Sequence, residues 1–284
     1  MNMAIASVMA MGGLASADMV VPVYDKAPTT QNPFAGSVSA GYSSNYVSRG
    51  LVLAGASNDN AIPVSVDGQF ALGNQYSIVA GIKYTELIDN GFKHSRRDGV
   101  SDEGTGIFGL RRDWCNGLTT TLSYQYVNGG IINVFHPADG RGRDIFNSHK
   151  SEEHSVVFDI NYDLTKAGLK GAFWASRVQY AARWDSGWWF TNTLGYKFDL
   201  CSRASAVVSA TWDVSAGYFD AKSINANGTQ GVSLNLDIPI KVCVCVTVKP
   251  FVGTVWSGNG AHRAGNDMYR NFTVVGGVSA TYVF

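Results

Sequence analysis

From Phe34 to the C-terminus, apolar and polar side chains alternate with a period of two. Val38, Ala40 and Tyr42 interleave with Ser37, Ser39, Gly41 and Ser43, and Tyr76, Ile78, Ala80, Ile82 and Tyr84 interleave with Ser77, Gly81, Lys83 and Thr85. Successive strand residues point to opposite faces, so each such run predicts a strand with one apolar and one polar face. The alternation recurs at residues 62–70, 118–126, 155–163, 174–184, 188–198, 205–215, 232–238, 248–256 and 273–284, with a weaker run at 107–113. Together these make about twelve strands, an even number of the kind bacterial membrane barrels use.

The placement of aromatic residues decides between a soluble sandwich and a membrane barrel. A sandwich buries its large aromatics at the centre of the core. Here Tyr42, Tyr46, Tyr84, Tyr124, Tyr126, Trp184, Trp188, Phe198, Trp256, Tyr282 and Phe284 stand near strand ends, with Val, Ile, Leu and Ala between them. That is the girdle pattern of a transmembrane barrel, aromatic at both headgroup levels and aliphatic in the middle. Connection lengths are sorted in the same sense. With the N-terminus on the periplasmic side, the turns at 73–75, 114–117, 164–168, 200–203 and 240–245 are short. The outer connections at 48–60, 86–104, 128–153, 217–229 and 257–270 are long and polar, and only 185–187 is brief. The reading is an all-β chain, a transmembrane antiparallel up-and-down β-barrel of about 12 strands with short periplasmic turns and long outer loops, in the outer membrane of a Gram-negative-type bacterium. Asn192 on an apolar face, and Pro63 and Pro250 within strands, stand outside the pattern.

Composition supports this class. Of 284 residues 15% are charged, against roughly 25% in a soluble domain, and the 22 Lys+Arg balance the 22 Asp+Glu. Zero net charge without a basic block argues against a nucleic-acid partner. After residue 17 no apolar run approaches the ~18 residues of a spanning helix. Residues 1–17 read as a signal peptide, apolar from Met3 to Leu14 and closed by the small-residue pattern Ala15-Ser16-Ala17. No Lys or Arg precedes Lys26, so a start upstream of Met1 is expected. Residues 18–33, with three prolines and no periodicity, read as a flexible lead-in to a barrel at 34–284.

Cys115, Cys201, Cys243 and Cys245 fall in or beside the predicted periplasmic turns. In an exported protein an even count suggests disulfides: Cys201 with Cys243 or Cys245 across neighbouring turns, and Cys115 only across the rim. Free thiols are the alternative, and C-x-C with isolated cysteines lacks the paired spacing of a structural zinc site, so neither metal nor cofactor is expected. His94, His136, His149, His154 and His262 lie in predicted outer loops or at their edges. His154 and Ser155 are adjacent and project from opposite faces, which demotes them as a catalytic pair. No G-x-S-x-G, H-E-x-x-H or phosphate-cradling loop occurs, and the chain is not expected to be an enzyme.

The final residues 277–284, alternating and ending in Tyr282, Val283 and Phe284, resemble the C-terminal signal by which outer-membrane proteins are recognised for insertion, with Ser279 where a Gly is common. Ser44, Asn45, Tyr46, Val47, Ser48, Arg49 and Gly50, followed by Pro63, are similar to a family of bacterial outer-membrane barrels carrying an S-x-Y-x-x-R-G element. The first resemblance implies the barrel assembly machinery and outer-membrane lipid as partners. A twelve-strand barrel is wider than one its side chains fill, and the predicted inner face is largely Ser, Thr, Gly and Asn. Charges of both signs share that face: Asp67, Lys83, Arg111, Asp159, Arg177, Arg183, Asp213 and Asp237. The expected function is therefore a porin-like channel for small polar solutes or ions. Arg177 and Arg183 would form a positive patch in it, unless Asp159 or Asp213 neutralises them. A surface scaffold or adhesin acting through its outer loops is the second reading, a barrel enzyme acting on lipid the third, and the oligomeric state is open.

Overall fold

The computed structural model describes residues 33–45, 47–48, 51–52, 60–88, 101–130, 152–182, 187–217, 227–258 and 272–284. The expected signal peptide, the lead-in before Pro33, Tyr46, Arg49, Gly50, Arg183, Trp184 and all the histidines except His154 lie outside them. Among the described residues twelve antiparallel strands follow one another around a closed ring. They are β1 (Phe34–Ser43), β2 (Asn60–Gly73), β3 (Tyr76–Ile88), β4 (Ser101–Asp113), β5 (Leu118–Gly130), β6 (Glu152–Asp163), β7 (Ala172–Ala181), β8 (Gly187–Asp199), β9 (Ser205–Ala216), β10 (Gly228–Asp237), β11 (Val246–Ser257) and β12 (Phe272–Val283). Each pairs with its neighbours in sequence, and β1 pairs with β12 from Ser37↔Val283 to Ser43↔Gly277, which closes the ring. A further two-residue strand, Ile240–Lys241, pairs with Val248 and Thr247 of β11.

Several predicted boundaries move. The strand expected at 107–113 begins at Ser101, and β3, β5 and β6 extend to Ile88, Gly130 and Glu152, so the outer connections are shorter than residues 86–104 and 128–153. The sequence pattern weakens there because Glu103 and Glu153 put carboxylates where an inward-facing residue was expected to be small. Pro63 and Pro250 are carried inside β2 and β11.

The five short connections share one end of the barrel with Phe34 and Phe284. Gly73, Asn74 and Gln75 all have positive φ, and Gly73 pairs with Tyr76, so β2 and β3 join through a two-residue turn whose twist matches the strands. Asp163 caps a short 3₁₀ turn, Leu164–Ala167, its Oδ1 accepting from the Thr165 amide at 2.9 Å. Gly168 then takes the left-handed conformation that ends the turn.

Alternation sets the two faces. Val38, Val64, Ile82, Leu122, Leu194, Val208, Leu234 and Val274 are exposed on the outside, between aromatic bands. At the turn end the band includes Phe34, Phe70, Tyr196, Phe198, Tyr282 and Phe284, and at the loop end Tyr42, Tyr84, Tyr124, Trp188, Trp212 and Trp256. Water would not tolerate so continuous an apolar exterior on a monomer; it is the lipid-facing belt of a barrel that spans a membrane. Phe284 sits in that belt, its ring 5.9 Å from Phe34 and 6.1 Å from Tyr282. Its backbone exchanges two hydrogen bonds with Gly36, at 3.1 and 3.0 Å, pinning the last residue to the first strand.

The β1–β12 seam is tight at Gly277. A Cβ there would collide with the Tyr42 carbonyl oxygen and with the Phe251 ring, at 2.6 Å. Replacing Gly277 by Val is expected to lower the stability of the folded barrel by about 1–3 kcal/mol, the usual cost of overpacking. Urea midpoints of the heat-modifiable gel band in detergent measure this, and an unchanged midpoint would show that the seam relaxes freely.

Candidate functional site: the barrel lumen

The inner wall is mostly polar, with Val79, Ile107, Val127, Val157, Val255 and Val275 set among the polar side chains. Ser37, Gln69, Ser77, Thr105, Thr121, Ser123, Gln125, Ser155, Gln179, Ser209, Gln230, Ser233 and Asn235 face inward and are buried. The same face carries Asp67, Arg111, Asp159, Arg177, Asp213 and Asp237, all buried, and Lys83, which is half-buried. Seven of the eight charges assigned to the lumen from sequence therefore stand there, and Arg183 lies outside the described residues.

Register determines how these charges meet. Asp159 on β6 lies directly opposite Arg177 on β7. The guanidinium grips the carboxylate twice, Nε donating to Oδ1 at 2.7 Å and Nη2 to Oδ2 at 3.2 Å. Both side chains are about one-twentieth exposed, 5% and 6%. Arg177 thus does not form the unpaired positive patch that was one expectation; it is neutralised by Asp159, the alternative. Arg111 is held by Asp113 on its own strand at 2.6 Å. Asp213 is held by neutral donors, the Thr191 hydroxyl at 2.6 Å and the Trp189 indole N–H at 3.3 Å. Asp67 accepts from Ser65 at 3.0 Å and feels the charge of Lys83, which pairs in register with Ser65. Asp237 and Lys249 interact electrostatically in the same diagonal manner across β10 and β11.

Three buried inward charges were missed in the sequence: Glu103, Glu153 and Lys249. Glu153 accepts from Ser155 and from the Gln179 amide, both at 2.6 Å. Parity was the available signal. Glu153 stands two residues before Ser155, and Glu103 an even number before Arg111, but both were assigned to loops.

The wall is also bulkier than its serines and threonines suggest. Phe173 on β7 faces Gly195 on β8, and Phe251 on β11 faces Gly277 on β12, each as a direct cross-strand pair. In both, the ring occupies the space a glycine Cβ would need. The glycine lets the ring lie against the wall, an inward use of aromatic–glycine pairing. Trp189 is fully buried on the same side. After β1 the chain turns in: Val47–Ser48 pairs with Leu51–Val52, and Val47 packs on Val255 and Val275 with Phe251 beside them. Since Val255 and Val275 face the lumen, this hairpin narrows the loop end from inside. It also contains Val47 and Ser48 of the S-x-Y-x-x-R-G element.

His154 projects outward at the loop end, where the Tyr124 hydroxyl hydrogen-bonds its Nδ1 and Glu152 lies 4.0 Å from Nε2. Ser155 points into the lumen, so the two are kept apart by the pleat. The four thiols occupy the turn end as expected, but all four are free in this structure and the anticipated disulfide is not formed. Cys115 accepts from the Gln75 amide at 2.8 Å. The turns bearing Cys201 and Cys243 do adjoin, through an Ala204↔Ile240 bridge and the Lys241 amide donating to the Arg203 carbonyl at 2.7 Å. Among the described residues no group of three or more His, Cys, Asp or Glu side chains is placed to hold a metal.

No protein-family model matches the chain, and no curated protein matches it. Solved structures do. The KdgM porin superposes with a TM-score of 0.50 at 9% identity, covering 87% of this chain and 99% of that one. The KdgM porin in complex with disordered oligogalacturonate gives the same values. The NanC porin in a rhombohedral crystal form gives a TM-score of 0.48 at 8% identity, over 87% and 98%. At such identity the likeness to KdgM establishes the fold, a closed antiparallel barrel of the outer-membrane type.

Proposed function

We propose that the chain is an outer-membrane channel of the porin type, passing small polar solutes or ions through a narrow lumen. The observation that carries this reading is the wall itself: a barrel whose exterior suits lipid and whose interior is lined mainly with hydroxyls, amides and ion pairs, the apolar residues standing among them. An interior meant only to be filled needs no such lining, since apolar residues pack a core at lower cost than buried charges do. Gln125 adds to the case. It is fully buried on the lumen side, and neither amide atom has a hydrogen-bond partner among the described residues, so its donor and acceptor suit a polar content. Phe173, Trp189, Phe251 and the 47–52 hairpin restrict the bore, which favours small cargo. KdgM is itself a porin, and one of its structures holds oligogalacturonate, a polar solute; that supports the class of cargo and not its identity.

In this reading the turn end faces the periplasm, the loop end faces outward, and outer-membrane lipid surrounds the belt. The barrel assembly machinery would read the terminal strand with Tyr282 and Phe284, both exposed on the lipid side. The second reading, a scaffold or adhesin working through the outer loops, predicts a barrel that conducts nothing.

Single-channel recording in a planar bilayer separates the two: discrete conductance steps are expected from the parent chain, and their absence would reject the channel. Val47→Asp places a carboxylate against Val255 and Val275 and is expected to release the hairpin and raise the unitary conductance; equal conductance would mean the hairpin is not in the path. Arg177→Gln leaves Asp159 buried without its partner and is expected to cost about 3 kcal/mol of barrel stability. Joining it with Asp159→Asn should restore most of that loss and leave the reversal potential in a salt gradient unchanged. A clear shift toward cations in the double variant would assign Arg177 a selectivity role after all. For orientation, a membrane-impermeant maleimide on intact cells is expected to miss Cys115, Cys201 and Cys243, and to label them once the outer membrane is permeabilised. Labelling of Cys201 from outside would invert the topology.

A further inference from the structure

The barrel repeatedly seats an aromatic ring on a glycine. On the outer face Phe284 covers Gly36 and Phe34 covers Gly68, where an added Cβ would meet the rings at 2.6 and 3.4 Å, and inside Phe173 and Phe251 cover Gly195 and Gly277. Gly104 and Gly106 on β4 break this habit. Both face outward, since Glu103, Thr105 and Ile107 alternate with them and are buried on the lumen side, and an added Cβ at either meets nothing within 4 Å. Tyr84 on β3 stands opposite Gly104, and Tyr126 on β5 stands opposite Gly106. Neighbouring strands lie about 4.8 Å apart, so the side chains of β3 and β5 wall a notch roughly 10 Å wide whose floor is bare backbone. The next outward residue of β4 on the turn side is Phe108, 59% exposed, which ends the notch. The notch therefore lies in the loop-end aromatic band, at headgroup level. One of its walls is held ready. The Tyr126 ring meets His154 edge on, centroids 5.2 Å apart, and its hydroxyl hydrogen-bonds Glu152 and Asn128. His154 is on the β6 side of that ring, and on the β4 side Gly106 offers it no side chain.

We propose that this notch binds the sugar headgroup of a membrane glycolipid, the sugar ring lying against Tyr126 over Gly106 and its hydroxyls bonded to Glu152 and Asn128. This rests on the membrane-spanning reading, which makes lipid the neighbour of the outer face. The occupant follows from position and charge. By strand parity the notch opens to the bilayer and not to the lumen, so a bilayer component fills it. An anionic phosphate headgroup is disfavoured there. Glu152 lies beside Tyr126, Glu86 is exposed two residues beyond Tyr84, and among the described residues no Lys or Arg points outward at the loop end. His154, the one group there able to carry a positive charge, already has Glu152 4.0 Å from its Nε2. A sugar suits both parts of the site. Its ring presents C–H groups to the negative face of an aromatic ring, and its hydroxyls donate to a carboxylate and accept from an amide. A few fixed polar groups beside an aromatic surface are what orient such a ligand. The acyl chains would continue past Phe108 and Ile82, both exposed, into hydrocarbon.

The test uses the full chain in phosphatidylcholine nanodiscs doped with equal amounts of a diacyl glucosylglycerol and a phosphatidylglycerol of the same chains. Native mass spectrometry counts the lipids that stay bound once the disc is stripped away. The parent is expected to keep one glucosyl lipid in preference to phosphatidylglycerol. Glu152→Gln is expected to cut that retention about tenfold, the scale of one hydrogen bond to a charged group, and Gly106→Leu, which fills the notch, by at least as much. Leu234→Val, on β10 across the barrel, should leave it unchanged. Heat-modifiable migration shows that each variant is a folded barrel. Equal retention of phosphatidylglycerol, no lipid retained by the inserted parent, or undiminished retention in a folded Gly106→Leu barrel each overturns the proposal. If the parent fails to insert at all, the membrane-spanning reading fails and the proposal with it.

Discussion

Hydrocarbon offers the peptide backbone no hydrogen bonds, and nearly everything in this molecule follows from satisfying that constraint with strands. An open sheet would leave two unpaired edges in lipid, so the sheet must close on itself. Closure here depends on the pairing of β1 with β12, which extends to the terminal carbonyl and amide of Phe284 on Gly36. Once the ring is closed, the strand period of two separates inside from outside at every position. A one-residue slip at the seam would turn Val278 and Tyr282 into the lumen and Ser279 and Thr281 into lipid. Gly277, with the Tyr42 carbonyl against it on one side and the Phe251 ring on the other, makes the seam intolerant of such movement.

The same closure makes the interior electrostatically self-contained. The inward charges Asp67, Asp159, Arg177, Asp213, Asp237 and Lys249 are buried, so each is costly unless another group answers it. The answers lie on adjacent strands: Arg177 to Asp159 directly, Lys83 to Asp67 and Lys249 to Asp237 diagonally, Asp213 to Thr191 and Trp189. The wall is thus polar without presenting a large patch of one sign at these positions. That suits weak discrimination between ions, with passage governed more by width than by charge.

The architecture was legible in the sequence because period-two alternation and loop sorting are local signals that need no knowledge of which strand meets which. Tyr76 to Thr85 displays its two faces unaided, and Asn74-Gln75 between two such runs marks a turn. The contents of the lumen were less legible, since they depend on register. Nothing in the sequence says that Arg177 will stand opposite Asp159, and not beside Asp213, or that Gly195 will receive the Phe173 ring. Glu103 and Glu153 were lost for a related reason. A charged residue at a strand end resembles a loop residue until the neighbouring strand is seen to continue beside it, as Gly129 does beside Glu103 and Val127 beside Glu153.

The departures from the binary pattern carry the most information about use, because they are positions where stability alone would have chosen another residue. Inside, Phe173, Trp189, Phe251 and Val47 place apolar bulk where a wide aqueous pore would have none; Phe173 and Phe251 each rest on a glycine, and Val47 belongs to the folded-in pairing of Val47–Ser48 with Leu51–Val52. Outside, Gly104 and Gly106 leave bare backbone where lipid would favour aliphatic side chains. A barrel selected only to sit in a bilayer would have neither set. The inner set constrains what can pass along the axis; the outer set constrains what can lie alongside. The notch also backs onto charged wall, since β4 and β6 carry Glu103 and Glu153 inward and Gly104, Gly106 and Glu152 outward. Any lipid lodged there would therefore press on the section of wall that holds those two inward carboxylates.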